Sequence, residues 1–203
     1  MPNAGFDTIC LHGGWNGDAG TGSAGVPVHR TSPYIFKDTE EAANRFALKE
    51  LGHIYSRIGN PTTDVLERRF AMLSGAHELG ALAVSSGTSA SFYAILNLSS
   101  AGDNIVASRE LYGGTYTMFK DILPQMGIEV RFVDPSDPEA FGTATDGKTR
   151  AFYCETVANP SLHITDIEAL AAVARDCNMP LVVDDTFTTP YLMKPLEWGA
   201  DVV

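Results

Sequence analysis

Apolar positions along the chain change period several times. Short, nearly continuous apolar or β-rich runs fall at residues 81–84, 104–107, 129–133, 150–154, 181–183 and 201–203. Helix-like stretches separate most of them, at 88–98, 115–126, 138–141 and 166–177. Short strands that are apolar on both faces and alternate with helices predict an α/β domain with a parallel-rich sheet flanked by helices. The first thirty-odd residues show no period and many glycines, from Gly13 and Gly14 through Gly20, Gly22 and Gly25, which predicts an extended arm. Asp38 followed by Glu41 predicts a capped helix start, with helix formers from Ala42 to Leu51 and a stop at Gly52. A loop through Pro61 leads to a second helix over 62–74, closed by Gly75. The expected division is an arm, helix and loop over 1–61 and a ligand-binding domain over 62–203.

Composition narrows the function classes. A chain of 203 residues with 14 Lys+Arg against 25 Asp+Glu carries a net charge of -11, which repels a phosphate backbone and excludes nucleic acid as a partner. No run reaches the ~18 apolar residues of a membrane span. Cys10, Cys154 and Cys177 lack any Cys-x-x-Cys spacing, and the five histidines show no ligand spacing, so neither a disulfide frame nor a metal site is expected. The start Met1-Pro2-Asn3-Ala4-Gly5 carries no secretory signal, and a cytoplasmic protein is expected.

In open α/β sheets ligands bind beyond the carboxyl ends of the strands, which directs attention to the residues just after each strand. Gly20-Thr21-Gly22-Ser23-Ala24-Gly25 has the dinucleotide spacing but neither a preceding strand nor a following helix, and reads as loop. Ser85-Ser86-Gly87-Thr88 falls between a strand and a helix; it reads equally as a phosphate cradle or as a Ser-capped turn. Tyr55-Ser56-Arg57 offers a fork and a hydroxyl to a dianion, although a surface Arg beside a half-buried Tyr is the plainer reading. Tyr112, before Gly113 and Gly114, could cover a flat ligand or edge the core. Asn159 before Pro160 is held extended with its amide available, or simply forms a turn. Asp184 and Asp185 end an otherwise apolar strand, where a carboxylate is costly without a cation.

A phosphate, a flat ring, a ring cation facing a carboxylate and a ring oxygen near an amide together describe pyridoxal 5′-phosphate. In order and wording these motifs resemble the N-terminal half of the Cys/Met-metabolism family of pyridoxal-phosphate enzymes. They are Tyr55-Ser-Arg57 with Asn60-Pro61-Thr62, Ser85-Ser86-Gly87-Thr88, Tyr112-Gly113-Gly114, Glu155-Thr-Val-Ala-Asn159-Pro160, and Val183-Asp184-Asp185-Thr186. The resemblance implies the large domain of fold-type I, incomplete at its C-terminus. It implies that Ser86, Gly87 and Thr88 hold the phosphate, with Tyr55 and Arg57 reaching it from a neighbouring subunit of a homotetramer. Tyr112 would stack on the ring, Asp184 would pair with the pyridine nitrogen, and Asn159, Glu155 and Thr186 would complete the surround. Asp185 stands where the family often has Asn.

Residues 36–55 look most like O-acetylhomoserine sulfhydrylases, and the methionine lyases commonly carry Cys where this chain has Gly114. The implied reaction is γ-replacement of acetate by sulfide to give homocysteine, a step of methionine biosynthesis. Alternatives are a cystathionine γ-synthase, a methionine or cystathionine γ-lyase, or a non-catalytic cofactor-binding or assembly subunit. The family's Schiff-base lysine would lie just past residue 203, and Lys37, Lys49, Lys120, Lys148 and Lys194 read as surface residues. The expectation is therefore a chain inactive on its own.

Overall fold

The computed structural model describes residues 4–203, and its chain groups into two compact units that meet in sequence at Ala83 and Val84. For Met1 to Asn3 the reading of the N-terminus lies outside the described residues.

Among its described residues the first unit holds three helices: α1 (Phe6–His12), α2 (Thr39–Phe46) and α3 (Pro61–Ser74). Asp38 caps α2 by accepting from Glu41 N at 2.8 Å, as the spacing predicts. Asn60 caps α3 through Thr62 N at 2.9 Å, Pro61 occupies the first turn, and Gly75 closes the helix in the left-handed region. The reading of the first thirty residues as wholly extended misses α1. This helix packs along α3, where Arg69 Nε donates to Gly13 O at 2.8 Å. A one-face stripe over two turns is too short to stand out among neighbouring glycines. Gly20 to Gly25 form loop and turn, tied by Asp18 to Thr21 N and by Trp15 Nε1 to Ala24 O.

The second unit is a four-stranded parallel sheet in the order β2-β1-β3-β4, with β1 Asn104–Ser108, β2 Glu129–Val133, β3 Thr149–Glu155 and β4 Leu181–Asp184. Helix α4 (Gly87–Leu98) and the helical run from α5 (Gly113–Thr117) through a π turn to Met126 cover one face. Helices α6 (Pro138–Thr143) and α7 (Ile167–Asp176) cover the other. Strand alternation sends Ala151 and Tyr153 into the α4 side with Ile95 and Phe119, and Phe152 and Cys154 into the α7 side with Phe141 and Leu170.

Two predicted strands do not form. Residues 81–84 join no ladder, and Ala83 N is instead taken by Glu67 Oε1 at 2.8 Å. Residues 201–203 contribute a single parallel bridge, Val182 to Val202. Both runs have strand composition, but a strand exists only where a neighbour completes its hydrogen bonds. Among the described residues no helix is long and apolar enough to cross a membrane.

Candidate active site

The carboxyl ends of β1, β3 and β4 bring most of the predicted residues of the second unit together. Glu155 and Asp184 are register partners on adjacent parallel strands, so their carboxylates leave the same face side by side. Glu155 is buried and uses both oxygens: Oε1 accepts from Tyr112 N at 2.6 Å and Oε2 from Asn159 N at 3.1 Å. It thus fastens the loop after β1 and the loop after β3. Burial pushes its carboxyl above the usual range, the two backbone donors oppose that, and the Asp184 charge adds to it.

Asp184 is half-buried. Its Oδ1 accepts from the Thr186 hydroxyl and from Thr186 N at 3.0 Å, and its Oδ2 from the Tyr153 hydroxyl at 3.5 Å. Asp185 points to the opposite side. One of its oxygens takes the Thr188 hydroxyl, while Oδ2 is buried with no partner, and burial raises its carboxyl. No Lys, Arg or His forms an ion pair with Glu155, Asp184 or Asp185 among the described residues.

Ser86 caps α4, accepting from Ser89 N at 3.1 Å, so the turn is a Ser-capped one. Its hydroxyl and the stretch to Thr88 are nonetheless exposed, and a side chain added at Gly87 would meet nothing within 4 Å. The mouth of α4 at Gly87 and Thr88 is therefore exposed and carries the positive end of the helix dipole. Tyr112 is 50% exposed and immediately precedes α5. A Cβ at Gly114 would come 2.6 Å from Tyr112 Cε1, so the ring rests where only glycine leaves room. Asn159 is half-buried, joined to Pro160 by a cis peptide bond.

In the first unit, Tyr55 bridges Pro33, and the Arg57 guanidinium lies 4.6 Å from the Tyr55 ring centre. Arg57 is exposed and pairs with no carboxylate among the described residues. Sequence reasoning missed Tyr153, which is 1% exposed, and Ser91 on α4, whose hydroxyl lies 2.9 Å from that of Tyr153. The available signal was alternation: Tyr153 is two residues before Glu155 in a strand and shares its face.

The fold and this cluster define an α/β domain whose parallel sheet is covered by helices on both faces, with a polar, acid-rich cluster at the carboxyl ends of its strands. Residues 7–203 match the family described as Cys/Met metabolism PLP-dependent enzyme, and the chain belongs to that enzyme family. It is 52% identical to the O-acetyl-L-homoserine sulfhydrylase of Leptospira meyeri over 97% of this chain and 44% of that protein. It is 46% identical to the homocysteine synthase of Schizosaccharomyces pombe over 98% of this chain and 46% of that one. Among solved structures, a putative O-acetylhomoserine (thiol)-lyase from Campylobacter jejuni, holding a pyridoxyl-lysine monophosphate, superposes with a TM-score of 0.92. It is 40% identical over 98% of this chain and 48% of its own. The chain spans about half the length of the relatives it matches.

Proposed function

We propose that this chain forms the cofactor-binding part of an enzyme that converts O-acetylhomoserine and sulfide into homocysteine and acetate. The observation that carries the reading is the register pair of Glu155 and Asp184, to which no Lys, Arg or His is ion-paired among the described residues. Two adjacent carboxylates at the end of a buried sheet want a positive group, and the ring of pyridoxal phosphate offers one. The residues fit that group. The open mouth of α4 at Ser86, Gly87 and Thr88 suits a phosphate, and Tyr112 has an exposed ring to lay against a flat ligand.

In this reading Asp184 keeps the ring nitrogen protonated. Thr186 anchors the free rotation of Asp184 from one side. Glu155 holds the Tyr112 and Asn159 backbones in place, so that the Asn159 amide is available to a ring oxygen. When bound, pyridoxal phosphate supplies an electron sink for carbanions formed on the amino acid. Tyr55 and Arg57 contribute to the phosphate site of a neighbouring copy in a homo-oligomer, a tetramer in the fullest form of this reading. Lys120 lies over Tyr116, Lys148 sits in the turn before β3, and Lys194 pairs with Glu197. In this reading no lysine of residues 1–203 carries the cofactor, and residues 1–203 alone are expected to turn nothing over.

The test is an assay with O-acetylhomoserine and sulfide, on residues 1–203 alone and within a chain that supplies the lysine. Homocysteine from the longer chain only is expected. Homocysteine from neither, or α-keto acid from methionine instead, overturns the assignment. The second of these outcomes would favour a lyase, to which the likeness to the cystathionine γ-lyase of Lactobacillus plantarum, with a TM-score of 0.86, also points.

A further inference from the structure

We propose that Tyr153 is a positioning residue: its hydroxyl, held by Ser91 of the phosphate-facing helix, fixes the carboxylate of Asp184 that we assign to the cofactor ring nitrogen. The inference rests on that assignment and deepens it.

Packing does not explain the hydroxyl. The Tyr153 ring meets Phe119 edge-on at 4.8 Å between centres and 78° between planes, inside a cluster of Ile95, Leu123 and Val182. Phenylalanine would fill that space equally well. A buried phenol instead requires a polar partner, and two are present. Ser91 Oγ lies at 2.9 Å and Asp184 Oδ2 at 3.5 Å. A carboxylate only accepts, so the Tyr153 proton goes to Asp184 and the Ser91 proton to Tyr153. Burial first, and the Asp184 charge second, push the phenol well above its ordinary value, so it remains a donor.

Asp184 Oδ1 is already held by Thr186, and Oδ2 has no other described donor. Tyr153 and Thr186 therefore restrain the carboxylate from its two sides. Because Ser91 belongs to α4 and Asp184 to β4, the same hydroxyl links the helix whose mouth faces the phosphate with the acid that faces the ring. The 3.5 Å contact is at the long limit of hydrogen bonding, so its loss costs a several-fold factor rather than orders of magnitude.

The test measures affinity of the apoprotein, as the full chain, for pyridoxamine 5′-phosphate, which needs no lysine, and for its analogue with carbon in place of the ring nitrogen. Y153F is expected to keep the parent's circular dichroism and to bind pyridoxamine phosphate about fivefold more weakly. The same substitution in a D184N background should change affinity less than about twofold. With the ring-carbon analogue, Y153F should match the parent. Should Y153F fold poorly, S91A is read instead, with the same dependence on Asp184 expected. Parent-like binding by Y153F, or an equal loss with and without Asp184, overturns the positioning role. If D184N itself binds pyridoxamine phosphate as the parent does, the ring-nitrogen assignment fails and takes this proposal with it.

Discussion

Asp185 carries a carboxylate oxygen that is buried and unpaired, one step from Asp184 in sequence and on the opposite side of the strand. An ionised carboxylate held in such a place costs the fold free energy that its neutral form does not. Burial raises its carboxyl, so the folded chain favours the neutral form. The penalty is absent below the ordinary carboxylate value near ~4 and is complete above the raised folded value. D185N should therefore gain on the order of 1 kcal/mol in urea unfolding at pH 7, and that gain should fade toward pH 3. Gly114 poses a steric question at the same scale. In G114A the new Cβ meets the Tyr112 ring, so pyridoxamine phosphate affinity should fall several-fold with little change in melting temperature. G113A, whose Cβ meets nothing within 4 Å, is the control and should bind normally. The acids themselves were legible in sequence, because a carboxylate ending an apolar strand is conspicuous. Tyr153 was not, because a tyrosine inside an apolar strand looks like core until the partner strand is placed beside it.

At the level of elements, legibility followed local chemistry. The helix ends at Asp38, Asn60, Gly75 and Ser86 are set by caps that lie within four residues of the bonds they make. The sheet order was not legible in detail, and the strands expected at 81–84 and 201–203 failed because pairing is a long-range condition. Helix α1 was missed for the converse reason: seven residues beside two glycines carry too little pattern, and their packing on α3 does the work. Asn60 is the cap that can be tested most directly. It accepts from Thr62 N at 2.9 Å and donates to His29 O and Ser56 Oγ, both at 3.0 Å, so it starts α3 and ties the preceding loop to it. N60A is expected to cost about 1–2 kcal/mol in denaturant unfolding. A loss of only about 0.5 kcal/mol, the low end for replacing the cap alone by Ala, would mean the loop bonds contribute nothing.

Across the second unit as a whole, the two ends of the sheet respond to pH in opposite senses. At the carboxyl ends, Glu155 and Asp185 are raised by burial, so acid relieves their charge. At the amino ends, Asp146 accepts from Asn104 Nδ2 at 2.9 Å, from Arg131 at 2.7 Å and from Lys148 N at 2.8 Å. Those hydrogen bonds, Asn104 first and Arg131 second, hold its carboxyl far below the ordinary range. Asp146 thereby joins the start of β1 to β2 and to the turn before β3, where Thr149 also reaches Asn104 Oδ1 at 2.7 Å. A lowered carboxyl stabilises the fold above its unfolded value and loses that contribution as pH falls. The net charge of -11 adds general repulsion at neutral pH that protonation would ease, so acid has both effects on this chain at once. D146N separates them. It should be less stable than the parent at pH 7, with the difference starting to close only as pH drops below ~4 toward the lowered folded value, whereas the D185N gain closes above ~4, between the raised folded value and the ordinary one. Thermal melts of both variants from pH 3 to pH 8 would show D185N rejoining the parent as pH falls to about 4 and the D146N deficit beginning to shrink only below that. A D146N deficit that persists undiminished at pH 3 would assign the Asp146 contribution to geometry rather than charge.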